Sequence, residues 1–210
     1  AAPEQPLIAL TLQRSAARSD GFPFVDLSRR AATEAFIQTT YEPYLRHAGE
    51  YFGRQCRFAF CDEPQLKAED GLVFSRHLAN EFHRDHGYDL LGKLDALCFT
   101  RDDTPAVRFD YYHTLNRLFV KNFMQPLYEW CEAHGLLFTG HLMESDALDP
   151  SHQPSLMAAL RYMHAPGTDL LGFQFHPTTP RGNAPWYIFQ IMIRSLGRQL
   201  ERRWLMCESC

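Results

Sequence analysis

Short apolar runs of strand length alternate with longer stretches of helical periodicity along this chain of 210 residues. Each run predicts a buried strand, and a helix is predicted between each strand and the next. The predicted strands are residues 7–12, 57–61, 136–142, 169–173 and 203–207. A strand, a helix and a second strand in that order favour parallel strands joined by right-handed crossovers. The pattern therefore predicts an α/β fold.

A barrel is the α/β architecture that suits this pattern best, because no glycine-rich phosphate-binding loop follows any predicted strand. A closed (β/α)8 barrel of the TIM type usually needs about 250 residues. We therefore expect a partial (β/α)8 TIM-type barrel of about five parallel strands, which is a fragment of a longer chain. Residues 1–210 are assigned to one incomplete catalytic barrel domain, with 1–21 as a strand and linker leading into it. The exposed strand edges of an open barrel make the missing remainder of the same barrel an expected partner.

The second predicted strand ends abruptly at two adjacent carboxylates. The apolar run 58–61 is followed by Asp62-Glu63-Pro64, and the proline cannot continue a strand ladder because it has no N–H. Two later strands end in a similar way, one at Glu144 and Asp146 and the other at Glu208. Ligands bind at the carboxyl ends of the strands in parallel α/β proteins. The sequence therefore predicts a site that is lined by carboxylates.

Such a site suits the cleavage of a glycosidic bond, which needs one carboxylic acid to protonate the leaving oxygen and a second carboxylate as nucleophile or base. Glu63 and Glu208 lie three predicted strands apart, on nearly opposite sides of an eight-stranded ring. His141, on the strand before Glu144, is expected to contact a sugar hydroxyl or to orient a carboxylate. An acid at a strand end is also often a loop residue in a salt bridge or a helix cap, and that alternative stays open.

Composition narrows the classes of partner and cofactor. The net charge of −4 provides no basic patch, which argues against a nucleic-acid partner. No apolar run approaches the roughly 20 residues that a membrane span requires, so no membrane partner is expected. A four-thiolate zinc site could form from Cys56-x4-Cys61 and Cys207-x2-Cys210, but strand alternation directs Cys56 and Cys61 to opposite faces. Buried cysteines that act as small apolar residues are the simpler interpretation, so no metal and no cofactor are expected.

Several short stretches resemble one known family when they are taken together in their order along the chain. They are Ala35-Phe36-Ile37, Thr40-Tyr41-Glu42-Pro43-Tyr44, Phe60-Cys61-Asp62-Glu63-Pro64, His86-Gly87-Tyr88-Asp89-Leu90, Tyr128-Glu129-Trp130-Cys131-Glu132, Thr139-Gly140-His141-Leu142-Met143-Glu144, Tyr162-Met163-His164 and Pro166-Gly167-Thr168-Asp169. As a set they resemble the large bacterial glycoside hydrolases of the α-L-rhamnosidase-like type. The resemblance covers roughly residues 22–210.

The resemblance implies a catalytic (β/α)8 barrel that hydrolyses O-glycosidic bonds with two carboxylates. It makes Glu63 the general acid/base and Glu208 the nucleophile or base. The residues expected to bind the substrate are Asp62, His141, Glu144 and Asp146. The implied activity is α-L-rhamnosidase-like, or that of a related exo-acting glycosidase on plant or microbial polysaccharide, with carbohydrate as the partner.

Alternatives remain at this stage. A catalytically inactive carbohydrate-binding barrel fragment would carry the same acids, and a zinc-stabilised structural module is the less favoured possibility. The sequence also leaves open whether the reaction is retaining or inverting, and whether Glu144 replaces Glu63 or Glu208 in the catalytic pair.

Overall fold

The computed structural model describes residues 25–66, 72–143, 155–170 and 184–209, together with the backbone of two short strands before them. Its α-helices are α1 (Arg30–Phe36), α2 (Glu42–Ala48), α3 (Arg76–His86), α4 (Leu94–Cys98), α5 (Thr104–Phe119), α6 (Gln125–Ala133), α7 (Leu156–Leu160) and α8 (Ala184–Gln199). Its strands are β1 (Arg18–Ser19), β2 (Phe22–Pro23), β3 (Phe58–Asp62), β4 (Leu137–His141), β5 (Ala165–Leu170) and β6 (Met206–Ser209). Within the described part of the chain, no helix has the length and apolar character needed to cross a bilayer.

Strands β3 to β6 form one four-stranded sheet in the order β3-β4-β5-β6, and every neighbouring pair is parallel. The register aligns Asp62 at the end of β3 with His141 at the end of β4. It also aligns Asp169 on β5 with Glu208 on β6. The sheet is curled and is accompanied by helices, so the fold is α/β. Because the strands are parallel, these polar ends lie along one edge of the sheet.

The predicted partial (β/α)8 TIM-type barrel is wrong. In the described part of the chain the sheet contains four strands, which correspond to four of the five expected ones. The connection from β3 to β4 holds α3, α4, α5 and α6, whereas a β/α barrel uses one crossover helix per strand. A separate antiparallel pair, β1 with β2, lies before α1 and belongs to no β/α repeat. The expected strand at 7–12 lies outside the described residues.

The middle of the sheet is packed so closely that two positions accept only glycine. Gly140 on β4 has a φ of 135°, and a Cβ atom there would collide with the backbone carbonyl of Cys61 on β3. A Cβ atom on Gly167 of β5 would collide with the side chain of Met206 on β6 and with the carbonyl oxygen of Gly140. These close approaches explain why Gly167, a residue type that usually marks a turn, lies inside a strand, directly after Pro166.

The apolar core beside the sheet comes mainly from α6, which packs on β4, and α8, which packs on β5. Buried apolar side chains recur at helical spacing along α6 and α8 because each helix turns one face inward. The core residues of these elements are Leu127, Cys131, Phe138, Leu156, Ala159, Leu160, Met163, Ala165, Phe189, Ile193 and Leu196.

The ends of α3 follow local capping chemistry. The Ser75 side chain accepts a hydrogen bond from the Leu78 N–H at 3.1 Å and so begins α3. Gly87 ends α3 in the left-handed conformation with a φ of 78°, which glycine adopts without strain. No side chain caps α1, and the Ser28 hydroxyl near its start donates to a carboxylate oxygen of Asp26 at 2.5 Å.

Two helices contain a π-helical turn immediately before a proline. Ile37–Tyr41 joins α1 to α2, and Val120–Met124 joins α5 to α6. Pro43 and Pro126 are the second residues of the helices that follow. Proline removes a backbone donor and its ring crowds the preceding turn, and a wider π turn relieves both conflicts.

Contact clustering divides the chain into two compact units. One unit, residues 1–24 and 68–114, contains the β1–β2 pair, α3, α4 and the start of α5. The other unit, residues 25–67 and 115–210, contains the four-stranded sheet. The acidic strand ends at Asp62, Asp169 and Glu208 all belong to this second unit.

Candidate active site at the strand ends

His141 is the centre of the candidate site. It is the last residue of β4, and its side chain is only 2% exposed. Its Nε2 atom lies 2.9 Å from Oε2 of Glu208 and 3.3 Å from Oδ1 of Asp62. Because Asp62 comes from β3 and Glu208 from β6, the curl of the sheet brings residues of its two edge strands together beside β4. The structure thus brings together three of the residues that the sequence predicts for the site.

Hydrogen-bonding chemistry determines what the His141 ring does in this cluster. Ionised carboxylates only accept hydrogen bonds, and the Nδ1 atom lies 3.4 Å from another acceptor, the carbonyl oxygen of Leu142. The ring is therefore surrounded by acceptors and acts as a donor. The Nε2–H donates to Glu208, and the Asp62 carboxylate lies 3.3 Å from the same nitrogen, so the imidazole holds the two acids close together.

Glu63 has a backbone conformation that non-glycine residues rarely adopt. Its φ of 38° lies at the edge of the left-handed region, and its N–H donates to the carbonyl oxygen of His141 at 3.2 Å. Strain of this kind costs about 1–3 kcal/mol and is concentrated at functional sites. Successive strand residues point to opposite faces, but the left-handed turn ends that alternation. The carboxylates of both Asp62 and Glu63 consequently lie close to His141.

Asp169 is a member of the cluster that the sequence analysis missed. One ligand atom from each of Glu63, His141 and Asp169 lies within 4.8 Å of the others. The sequence places a strand at 169–173, which makes Asp169 its first residue, whereas β5 runs from Ala165 to Leu170 and puts Asp169 near its carboxyl end. The acid was visible in the sequence, but the strand that carries it was not. The Pro-Gly pair inside that strand concealed it.

The cluster has accessible and buried members. The side chains of Asp62 and Glu208 are 72% and 47% exposed, and Glu63 is half-buried. His141 and Asp169 are buried. A molecule that approaches this edge of the sheet therefore meets carboxylates before it meets the imidazole. Direct contact between His141 and a sugar hydroxyl stays a prediction.

The same atoms have the spacing of metal ligands. Among the described residues, two groups qualify, namely Asp62 with His141 and Glu208, and Glu63 with His141 and Asp169, each within 4.8 Å. Carboxylates with one imidazole are suitable ligands for a divalent cation. The 2.9 Å distance from Nε2 to Oε2 of Glu208 is that of an ordinary hydrogen bond.

The cysteines give the zinc alternative no support. Burial, the charge of Asp62 and the nearby Cys131 thiol raise the pKa of the Cys61 thiol to about 12, which makes it a poor ligand near neutral pH. Burial alone raises the pKa of Cys131 to about 12. Cys56 and Cys207 are exposed. Cys210, the remaining member of the predicted thiolate set, lies outside the described residues.

Two of the predicted substrate-binding residues cannot be compared with this geometry. Glu144 and Asp146 lie outside the described residues, between β4 and α7. The suggestion that Glu144 replaces one member of the catalytic pair therefore stays a prediction.

A second polar network lies in the other unit and centres on His86. The Nε2 atom of His86 lies 2.9 Å from the Thr114 hydroxyl, and its Nδ1 atom lies 3.4 Å from a carboxylate oxygen of Asp110. The Tyr88 hydroxyl donates to the same carboxylate at 2.7 Å. A hydroxyl, an imidazole and a carboxylate in this order resemble a nucleophilic triad. Thr114 is fully buried and donates to the carbonyl oxygen of Asp110, so the network is structural.

Comparison with known proteins bears on the fold. No family model and no curated protein matches the sequence. Among solved structures, the chain is similar to the rhamnosidase from Novosphingobium sp. PP1Y, with a TM-score of 0.68 at 18% sequence identity. The fold is rhamnosidase-like.

The similarity covers very different shares of the two proteins. It includes 92% of this chain but only 18% of the rhamnosidase chain, so this chain spans less than a fifth of that protein's length. At this level of identity the similarity concerns the fold alone. The sequence-based resemblance to α-L-rhamnosidase-like hydrolases is thus supported for the fold, and activity is a matter for proposal.

Proposed function

We propose that this chain supplies the carboxylate pair of an O-glycoside hydrolase, with Glu63 as general acid/base and Glu208 as nucleophile or base. The convergence of acids from two edge strands on the ring of His141 is the observation that carries this proposal. Cleavage of a glycosidic bond needs two carboxylates that face a common region from different directions. The rhamnosidase-like fold supports the same reaction class.

The chemistry assigns a separate task to each acid. Glu63 donates its proton to the glycosidic oxygen as the bond from that oxygen to the sugar's C1 atom breaks, and the alcohol leaves. Glu208 either attacks C1 to form a glycosyl ester that water later hydrolyses, or removes a proton from the water molecule that attacks C1. In the first case Glu63, now ionised, removes the proton from the water that cleaves the ester.

The surrounding residues orient these two acids. The His141 N–H donates to Oε2 of Glu208, which restrains that carboxylate while leaving 47% of its side chain exposed. The Asp62 carboxylate lies 3.3 Å from the same Nε2 atom, and its 72% exposure, greater than the 47% of Glu208, suits a hydrogen bond to a sugar hydroxyl. A carboxylate oxygen of the buried Asp169 lies within 4.8 Å of one of Glu63, so the two acids are close neighbours.

The substrate proposed first is an α-L-rhamnoside at the end of a plant or microbial polysaccharide, because the similar structure is that of a rhamnosidase. Carbohydrate is accordingly the proposed partner.

The test compares Glu63→Gln, Glu208→Gln and Asp62→Asn in the 210-residue chain and in any longer polypeptide that contains it. Each of the first two changes should lower kcat/KM by about 10²–10⁴-fold. A good leaving group needs little protonation. Glu63→Gln should therefore lose more activity on an alkyl α-L-rhamnoside than on p-nitrophenyl α-L-rhamnoside, whereas Glu208→Gln should lose similar activity on both.

A matched control is Glu129→Gln, because Glu129 is an exposed carboxylate on α6. It should leave the rate unchanged. Wild-type rates in both Glu63→Gln and Glu208→Gln would refute the assignment, and a larger loss in Asp62→Asn than in Glu63→Gln would move the acid to Asp62. Binding of L-rhamnose with no turnover by the unmodified protein would favour an inactive carbohydrate-binding module instead.

A further inference from the structure

Phe60 lies beside the acid cluster and is unusually accessible for a phenylalanine in a strand. The side chains of β3 alternate, so Phe58, Phe60 and Asp62 share one face of the sheet. Phe60 is 48% exposed. Its ring centroid lies 5.8 Å from that of His141 in an edge-to-face arrangement at 66°. One side of the aromatic ring is thus held by the imidazole that anchors Asp62 and Glu208.

A sugar ring has the complementary chemistry. A pyranose presents a face of C–H groups and a rim of hydroxyl groups. Binding sites for small molecules combine apolar or aromatic surface with a few well-placed polar groups. Residues two apart along a strand are separated by roughly 6.6 Å. A sugar that rests on Phe60 therefore has its hydroxyl rim next to the carboxylate of Asp62.

We propose that Phe60 is the stacking platform for the sugar ring that the carboxylate cluster acts on. The inference rests on the proposed function and adds a binding role for a residue outside the acid cluster. The ligand class is a pyranose, whose C–H face lies on the aromatic ring while its hydroxyls face Asp62 and Glu208.

Phe58 provides a matched control on the same strand. It faces the same side as Phe60 and is 44% exposed, so a change to leucine removes a similar aromatic surface. Phe58 differs from Phe60 in two respects. Phe58 is two residues farther from Asp62, and the Arg57 guanidinium lies 5.8 Å from the centroid of the Phe58 ring. General effects on β3 should therefore be shared by the two positions, whereas effects on sugar binding should be confined to Phe60.

The experiment measures binding of L-rhamnose to Phe60→Leu, Phe60→Tyr and Phe58→Leu by titration calorimetry and saturation-transfer NMR. All three changes are made in the Glu208→Gln background, so that turnover does not interfere. Phe60→Leu should weaken binding about 3- to 10-fold, the range expected for loss of an aromatic contact. Phe60→Tyr should bind as the parent does, Phe58→Leu should change the affinity less than 2-fold, and saturation transfer to the sugar's C–H protons should fall only in Phe60→Leu.

The outcomes separate this inference from the proposed function. Equal losses in Phe60→Leu and Phe58→Leu, or an unchanged affinity in Phe60→Leu, would overturn the platform even if the Glu63 and Glu208 variants lose hydrolysis. Binding that depends on Phe60 without any hydrolysis by the unmodified protein would support the platform and overturn the hydrolase. Thermal unfolding of each variant serves as the folding control, and Phe60→Tyr tests the platform if Phe60→Leu unfolds.

Discussion

Replacing His164 with asparagine should remove a pH-dependent part of the stability of the sheet. The backbone N–H of Phe138 on β4 donates to the ring atom Nδ1 of His164 at 3.0 Å. In return, the backbone N–H of His164 donates to the backbone carbonyl oxygen of Phe138 at 2.9 Å. The ring also stacks on Tyr128 with centroids 4.1 Å apart. Because Nδ1 accepts a hydrogen bond, it carries no proton in the folded protein. Protonation of Nδ1 would break this contact at the start of the strand that carries His141.

The pKa of His164 is lowered, first by burial and then by the positive charge of Arg202, and the negative charge of Glu132 opposes this effect only in part. A histidine has a pKa of about 6.5 in the unfolded chain. With the folded pKa below that value, the stabilisation is fully present above about pH 6.5 and is lost as the pH falls toward the folded pKa. The slope cannot exceed about 1.4 kcal/mol per pH unit for one proton. Between pH 6.5 and pH 5 that slope allows a loss of up to about 2 kcal/mol, which lies within the range of about 1–3 kcal/mol that a buried N–H without a partner costs.

The assay is urea unfolding followed by circular dichroism at pH 8, 7, 6 and 5. Wild type should lose about 1–2 kcal/mol more than His164→Asn between pH 8 and pH 5, because the asparagine carbonyl can accept from Phe138 but cannot titrate. His164→Phe keeps an aromatic ring on Tyr128 but has no acceptor, so it should be destabilised by a similar amount already at pH 8. The exposed His47 provides the control His47→Asn, which should follow the wild-type profile. Parallel profiles for wild type and His164→Asn would refute the reasoning, as would greater wild-type stability at pH 5 than at pH 8.

Two further predictions concern the packing of the sheet. In a Cys210→Ser background, Ellman's reagent at pH 8 should modify the exposed thiols rapidly and should modify Cys61 and Cys131 only after unfolding, because burial raises the pKa of both to about 12. The exposed thiols are Cys56, Cys98 and Cys207; rapid modification of all five in the native protein would contradict the packing. Gly140→Ala should destabilise the protein by at least about 2 kcal/mol in the same unfolding assay, because its Cβ would collide with β3. Gly92→Ala, where a Cβ meets nothing within 4 Å, should change stability by less than about 1 kcal/mol, and equal effects at the two glycines would count against the close approach.

The positions of the strands could be predicted from the sequence to within a few residues, because each is a short apolar run that stops at a polar residue or a proline. Strand β3 was expected at 57–61 and runs from Phe58 to Asp62. Strand β5 was misplaced because Pro166 and Gly167 lie inside it, and local propensity opposes both. Glycine is needed at position 167 because the residue lies close to Met206 and to the carbonyl of Gly140. Only the folded sheet creates these contacts, so the sequence alone does not reveal them.

The sequence singled out Asp62, Glu63, His141 and Glu208, which lie together in the structure, but it missed Asp169 and could not predict how these residues are arranged. Counting strands along the sequence placed Glu63 and Glu208 on nearly opposite sides of a closed ring. The sequence carries no measure of how strongly a sheet curls, so the distances between these residues could not be predicted. In the structure the curl brings Glu208 to 2.9 Å from His141. The turn at Glu63 was equally hidden, because no propensity favours a glutamate in the left-handed region.

The π-helical turn before α6 has a consequence for how insertions and deletions are tolerated. Such a turn is equivalent to one extra residue in an α-helix, and one residue corresponds to a rotation of about 100°. Deleting a single residue within Val120–Met124 would restore a regular helix and rotate α6 by that angle relative to the turn that precedes it. Leu127 and Cys131, both fully buried, would then swing away from the core beside β4. A one-residue change in length at this turn thus sets the rotation of α6, the helix that packs on β4, the strand of His141. Insertions or deletions here would therefore change which face of α6 is buried in the core.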